Sequence, residues 1–439
     1  MQISIESMAY GADAVGHIDG KAVFVAGGVP GDVVEAEVVS DGKNFSRARV
    51  TRVLEASPDR VPSRCPYAEA CGGCPWSNMA YEAQLRAKHK NVCDALERIG
   101  KFSAEEVSRL VAPIEAPGDP WGYRNKVELA VTSGPRGLSL GMHGRFDASA
   151  VVPVDRCLLL PRPQQKLPRS VSGALKFLGG SRELGLERVG MRVSERTGQV
   201  EVALWTDPAA FPRNEVAKVL SDAAHPTSTV RVLVKEKGGA RKIAGIERLD
   251  GYGTWEERIA DGTMRVSAPS FFQVNTAGAD RLVELVLEGL ALSGEEVAAD
   301  LYCGAGTFTL PLARRLDSVI AIESYGPAVR DLNRNLANQH LEDVVEAVGD
   351  DAERQLDVVE DVDVVVVDPP RAGLDRSVVE ALSASPARTV AYVSCDPATL
   401  ARDLAAFVEV GSLRPTRITP VDLFPQTYHV ENVTILQRL

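Results

Sequence analysis

The sequence predicts a multidomain chain. A small N-terminal OB-like β-barrel covers residues 1–57, a central α/β domain 58–266, and a C-terminal α/β Rossmann-like domain 267–439. Three observations carry this reading. Short alternating runs punctuated by glycine fill the first 57 residues; a cysteine-rich stretch follows a proline-marked linker; and from about residue 268 apolar runs alternate with helix-like segments. A length of 439 residues suits about two to four domains, and 45% hydrophobic residues can furnish several cores.

In the first segment Met-Gln-Ile-Ser-Ile-Glu alternates, Lys-Ala-Val-Phe-Val is strand-like, and Asp-Val-Val-Glu-Ala-Glu-Val-Val alternates again. Gly20, Gly27, Gly28 and Pro30-Gly31 separate these runs. Five or so strands in so few residues fit a small barrel. Pro58, Pro62 and Pro66 mark a linker, after which Tyr81, Leu85, Val92, Leu96 and Ile99 predict one face of a helix. Residues 121–131 read as a strand with polar residues at its start, Arg124, Asn125 and Lys126 among them; these suit RNA or active-site contacts, or equally a strand cap. The rest of the central segment mixes strand and helix without a readable order. In the last segment strands are expected at 296–303, 318–323, 344–349, 362–368 and 389–395. Helices are expected at Thr309–Arg315 and Pro327–His340. Val-Asp-Val-Val-Val-Val-Asp (362–368) suits a strand buried on both faces.

A net charge of −11 argues against a polyanionic partner only if charge is evenly spread. It is not. Residues 293–370 hold 17 acidic against 5 basic residues, whereas 156–196 hold 9 basic against 3 acidic and 230–248 hold 6 against 2. Basic segments beside an acidic domain can bind nucleic acid on one face. No apolar run reaches the ~18–20 residues of a membrane span, and the N-terminus lacks the pattern of a signal peptide. A cytoplasmic protein is expected, with no membrane association and no obligate protein partner, in which clustered cysteines serve something other than disulfides.

Asp300-Leu-Tyr-Cys-Gly-Ala-Gly-Thr-Phe joins a strand to a helix through Gly304 and Gly306, which allow a ligand close to the backbone at the sheet's carboxyl edge. Glu323 ends the next strand, where a carboxylate can accept both ribose hydroxyls. A dinucleotide site usually shows three glycines, and this turn carries two. Without a pyrophosphate cradle, S-adenosylmethionine fits better. Asp350 or Asp351 can hold the adenine amino group, and Asp368, in Asp-Pro-Pro-Arg, falls where donor and acceptor would meet.

Cys395 ends the fifth strand, with Asp396 suited to a helix N-cap and Pro397 to the first helical position. The helix N-terminus pulls the thiol toward thiolate, while Asp396 opposes that pull. Glu431 interrupts a largely apolar strand-like stretch, an unnatural place for a solvated charge. Thiol and carboxylate together are the minimum for nucleophilic addition followed by proton removal. Cys65, Cys71 and Cys74, spaced Cys-x5-Cys-x2-Cys with glycines between, read as metal ligands. Zinc would need a fourth ligand, for which Cys93 and Cys157 are candidates.

The chain resembles the bacterial RNA 5-methyluridine methyltransferases that carry a TRAM domain and an iron–sulfur cluster. The matching pieces are Phe-Phe-Gln-Val-Asn (271–275), the 300–308 glycine turn, Asp-Pro-Pro-Arg-Ala-Gly (368–373), Ser-Cys-Asp-Pro-Ala-Thr-Leu-Ala-Arg-Asp (394–403) and His-Val-Glu-Asn-Val (429–433). The resemblance implies a class I methyltransferase domain, a TRAM barrel and an RNA-binding central domain with a 4Fe-4S cluster on Cys65, Cys71, Cys74 and Cys157. It implies Cys395 as nucleophile and Glu431 as base, with Gln273, Tyr302, Thr307, Glu323, Asp351 and Asp368 around the methyl donor or target base. Thr307 departs from the Asn frequent in that family. The substrate implied is a uridine of rRNA or tRNA. Two rival readings are a base amino-methyltransferase, which needs no thiol, and a non-catalytic iron–sulfur RNA-binding protein. A radical S-adenosylmethionine enzyme would usually show Cys-x3-Cys-x2-Cys instead.

Overall fold

The computed structural model describes residues 1–134, 137–180, 183–237 and 240–439. Among them, six strands make the N-terminal barrel: Gln2–Ser4, Ser7–Met8, Ala14–Ile18, Lys21–Ala26, Val33–Asp41 and Phe45–Glu55. Alternation turns Ile3, Val23, Val25, Val34 and Ala48 inward, where Trp76 and Met79 from the following segment join them. At Gly16 the chain passes so close to Ser4 that a Cβ would meet its carbonyl oxygen at 2.3 Å. Arg60 closes the barrel, donating to buried Asp32 and to the Gly27 carbonyl at 2.7 Å.

The central domain is built on a seven-stranded sheet. Its order is Ala240–Gly251, Ser228–Lys237, Val200–Thr206, Leu186–Val193, Lys126–Gly134, Gly137–His143 and Val151–Val152. The helices Leu167–Gly179 and Arg213–Ala224 bury their apolar stripes (Val171, Leu175, Leu178; Val216, Leu220) against Leu129, Val189, Val202 and Leu204. Two arginines of the basic segments are internal. Arg192 donates to the Ser267 carbonyl (2.8 Å) and that of Ser270, and Arg231 binds Thr206 Oγ1 (2.7 Å) and two backbone carbonyls. Those charges brace the fold and are not offered to a partner.

The C-terminal sheet runs Val345–Val348, Ser318–Ile322, Val297–Leu301, Val364–Val367, Thr389–Ser394, Glu431–Arg438 and Leu413–Val421. Its first five strands are parallel, and the sixth is antiparallel to both of its neighbours. All five expected strands are present. In Val364–Val367 the side chains alternate between two cores, Val364 and Val366 on one face and Val365 and Val367 on the other, so neither face tolerates a polar residue. The hairpin Trp255–Ile259 and Gly262–Val266, within the span read as central, packs Trp255, Met264 and Val266 into the first of these cores.

The helix Tyr81–Arg98 forms as expected but buries a different face. Gln84, Lys88 and Asn91 are buried beside Val92 and Leu96, while Ile99 lies beyond the helix and is exposed. A hydrophobic periodicity cannot announce buried polar residues, and these are buried because each has a partner. Lys88 Nζ meets Asp422 Oδ1 at 2.5 Å and the Phe424 carbonyl at 3.0 Å; Gln84 bonds both backbone and side chain of Gln426. The helix therefore pins the 422–430 loop that leads into Glu431.

Candidate active site

The parallel strands all end at one edge, delivering Asp350–Asp351, Glu323, Tyr302, Asp368 and Cys395 to it in that order across the sheet. The sixth strand runs the other way, so it brings its first residue, Glu431, to that same edge. Ser394 pairs with Asn432, and one further step along the ladder sets Cys395 across from Glu431. Cross-strand neighbours lie about 5 Å apart, so topology alone makes the thiol and the carboxyl adjacent.

Tyr302 has φ +65°, Gly304 +59° and Gly306 +102°. A Cβ on Gly306 would strike Leu332 at 2.9 Å, whereas one on Gly304 would meet nothing within 4 Å, so the turn leaves open space at Gly304. Glu323 fastens this turn: its oxygens accept from Gly304 N at 2.9 Å and Tyr325 N at 2.6 Å. Tyr302 Oη donates to Glu353 at 2.8 Å, and Thr307 is half-buried. Asp350 is satisfied locally, accepting from Asp351 N and Gln355 Nε2, while the Asp351 carboxylate, among the described residues, has Arg354 at 3.8 Å. Gln273 is buried with Oε1 unpartnered; buried Asp300 binds Thr309 Oγ1 at 2.6 Å with its Oδ1 unpartnered. Gln273 belongs to a segment tied to the central domain, Asn125 Nδ2 donating to its carbonyl at 2.9 Å and Asn125 N to that of Val274 at 2.8 Å.

Asp368 retains some solvent exposure but is ringed by protein, and lost hydration together with the Asp300 charge pushes its pKa up to about 7. Burial, then the neighbouring Asp368, raises Glu431 well above the carboxylate range, with Arg371 working the other way. Cys395 is pushed up to about 12, first by burial and then by Glu431, against the pull of Arg371. The N-terminus of the helix after Cys395 does not offset that burial. Asp396 already occupies it, Oδ1 accepting from Ala398 N at 2.9 Å and Thr399 N at 3.1 Å. The loop bearing Asp368 and Arg371 is held by the following helix, Pro397–Val410. Asp403 accepts from Leu374 N (2.8 Å) and Tyr392 Oη (2.7 Å), and Arg402 donates to the Ala372 carbonyl (2.8 Å).

Cys65, Cys71, Cys74 and Cys157 line one cavity of about 300 Å³, with Arg124 and Trp121 in its wall. Burial raises Cys74 first, and the other three thiols raise it further, so the four sulfurs face a common space. Cys93 packs by the C-terminal core instead. Among the described residues, no group of three or more His, Cys, Asp or Glu side chains is drawn together as a metal ion's ligands.

Residues 256–439 match the sequence profile of the tRNA (uracil-5-)-methyltransferases, and residues 1–51 match that of the TRAM domain. An uncharacterized RNA methyltransferase of Halalkalibacterium halodurans is 34% identical, the alignment covering 100% of this chain and 96% of that one. One of Gloeobacter violaceus is also 34% identical, over 99% and 96%. The crystal structure of Pyrococcus abyssi tRNA (uracil-54, C5)-methyltransferase in complex with S-adenosyl-L-homocysteine is similar over 99% of this chain and 100% of that one, with TM-score 0.76 and 27% identity. The chain belongs to the RNA uracil-5-methyltransferase family.

The enzyme's site contains residues that motif reading passed over. Tyr10, from the TRAM barrel, donates its hydroxyl to the Cys395 carbonyl at 3.0 Å and meets Tyr428 edge-on at 5.7 Å. Its position 385 residues upstream left no local signal. Arg371 lies inside the Asp-Pro-Pro-Arg motif and is the cation felt by Cys395, Glu431 and Tyr10 alike. His429, tilted against Tyr428 at 4.1 Å, is driven down to about 4 by burial and by Arg371, so its ring is neutral at physiological pH.

Proposed function

We propose that this RNA uracil-5-methyltransferase works through a covalent enzyme–RNA adduct, with Cys395 as nucleophile and Glu431 as base. What supports the reading is an antiparallel register whose last pair is Ser394 with Asn432, so that Cys395 and Glu431 come next at the same sheet edge. Uracil C5 is a weak nucleophile. The Cys395 thiol gives up its proton and its sulfur adds to C6, which makes C5 enolate-like. C5 takes the methyl group from the donor's sulfonium, whose S–CH3 bond breaks. Glu431, in its carboxylate form, then removes the C5 proton so that the C5–C6 double bond re-forms and the sulfur leaves. The target uridine must leave its stack to reach this edge, at a cost of a few kcal/mol.

S-Adenosylmethionine fits the remaining edge and supplies a methyl group on a cationic sulfur. Three carboxylates, Glu323, Asp351 and Asp368, suit a cation and a ribose and would repel a phosphate. Gly304 leaves room for close approach, and Gln273 Oε1 is a buried acceptor awaiting a donor. Gln273, Tyr302, Gly304, Gly306, Thr307, Glu323, Asp351 and Asp368 are the residues proposed to hold it. Asp351 is preferred to Asp350 because its carboxylate is the freer of the two.

The four converging thiols fit a 4Fe-4S cluster, whose cubane spreads its ligands farther than one ion does. On Cys65, Cys71, Cys74 and Cys157 it would tie the linker to the central domain and carry no step of the reaction. Anaerobic purification followed by iron and sulfide analysis should find about four of each per chain; stoichiometric zinc would refute the cluster.

The substrate is RNA. Position 54 of tRNA, the site named for the Pyrococcus abyssi enzyme, is the first to test, followed by rRNA uridines. Cys395→Ala should lose methylation entirely while still binding S-adenosylmethionine, as read by calorimetry. Methylation by that variant would overturn the mechanism and favour amino-group chemistry.

A further inference from the structure

A cleft of about 830 Å³ opens between the central sheet and the cofactor edge, lined by Arg188, Trp205, Arg241, Lys242, Tyr325 and Arg330 among others. It gathers what the sequence kept apart. Arg188 comes from the first basic segment, Arg241 and Lys242 from the second, and Arg330 from the acidic domain. Glu187 is the single carboxylate in the lining. Arg188 lies on the Trp205 ring at 4.2 Å and pairs with Glu128 at 3.2 Å, and Arg241 reaches Glu187 at 3.4 Å. Among the described residues Lys242 and Arg330 have no ion-pair partner and are exposed.

Two more features favour an anion there. The helix Gly326–Gln339 begins in the cleft with no side-chain cap on its N-terminus. Pro327 has no N–H and Ala328 N is bonded to the Tyr325 carbonyl at 2.8 Å, so among the described residues the Gly326 N–H and the helix dipole are what this end offers to negative charge. Tyr325, 41% exposed at that terminus, offers a ring beside Arg188 and Arg330. Two unpaired cations beside two paired arginines, with an exposed aromatic ring next to them, match a nucleic-acid strand: phosphates for the charges, a base or sugar for the ring.

We infer that this cleft binds the backbone of the RNA strand flanking the target uridine. Tyr325 follows the strand Ser318–Ile322, three positions along the sheet from the strand that ends before Cys395. At ~4.8 Å per strand the cleft lies about 14 Å from the thiol, on the same edge. An RNA strand crossing that edge reaches both and covers the methyl-donor site between them. The inference rests on RNA methylation being the reaction, and it adds a second anchor, which sets how much RNA around the uridine the enzyme needs.

The test is RNA binding by Lys242→Glu/Arg330→Glu and, as a milder check on folding, Lys242→Ala/Arg330→Ala, measured against salt concentration with a full-length transcript. The dissociation constant should rise about tenfold, and the log–log salt slope should flatten by roughly 1.5 for two lost phosphate contacts. S-Adenosylmethionine affinity should stay unchanged, as should turnover on a short stem–loop lacking the flanks; Lys242→Arg/Arg330→Lys should restore binding. An unchanged dissociation constant and slope would overturn the inference, and so would lost S-adenosylmethionine binding, which would place the cleft in the donor site. If the wild-type enzyme methylated no RNA, the proposed function would fail while the binding measurement still decided the cleft.

Discussion

Cys395 and Asp368 carry the two residue-scale predictions, both through raised pKa values. Burial and Glu431 hold the thiol protonated at neutral pH, its pKa about 12 in the free enzyme. Alkylation of Cys395 by iodoacetamide, resolved by peptide mass spectrometry, should therefore accelerate about tenfold per pH unit through pH 8–10. A plateau below pH 8 would show that a thiolate is already present. Asp368, at about 7, should matter to a cationic ligand. Below that pH the group is neutral and attracts no cation; above it the carboxylate is ionised. Affinity for S-adenosylmethionine should thus rise up to about tenfold from pH 6 to 8, then level. S-Adenosylhomocysteine, which lacks the sulfonium, and Asp368→Asn should each flatten that rise. Equal profiles for the two ligands would remove Asp368 from the sulfonium. The positions of Cys395 and Glu431 stood out in the sequence because the first ends an apolar strand at a polar turn and the second interrupts an apolar stretch. Tyr10 did not, since nothing local distinguishes a tyrosine that reaches another domain.

At the scale of elements, parallel strands read well and buried polar contacts did not. The four valines of Val364–Val367 announce a two-faced strand, whereas the helix Tyr81–Arg98 hides its role in Gln84, Lys88 and Asn91, residues that normally mark a solvated face. Lys88 and Asp422 are both fully buried, and Tyr81 donates to the same aspartate at 2.9 Å. Lys88→Ala would strand Asp422 without its cation and should cost about 3–5 kcal/mol by denaturant unfolding. Lys88→Met with Asp422→Leu should recover much of that loss while still lowering turnover, because the loop ahead of Glu431 loses its fastening. A stability loss under 1 kcal/mol for Lys88→Ala would mean that the pair does not hold the loop. Basic segments were the other misleading element: counting charge could not separate buried Arg192 and Arg231 from exposed Lys242.

At the scale of the whole molecule, three domains converge on one sheet edge. The barrel contributes Tyr10, the central domain ties down the Gln273 segment through Asn125, and the C-terminal sheet supplies the thiol, the base and the carboxylates. The domain sequence was legible because each domain writes its own pattern, and the strand order of the central sheet was not, because its mixed pairing leaves no periodic trace. Tyr10→Phe removes only the hydrogen bond to the Cys395 carbonyl and should lower kcat several-fold at unchanged KM for S-adenosylmethionine; an unaltered kcat would confine the barrel to RNA binding. The central claim is that thiol and carboxyl act in sequence on one uracil. It is tested most directly by intact-mass analysis of Glu431→Gln after incubation with RNA and S-adenosylmethionine. The account predicts a stable adduct of enzyme and methylated RNA, lost when Cys395 is also replaced by Ala. Full turnover by Glu431→Gln, or an adduct that survives the second substitution, would contradict it.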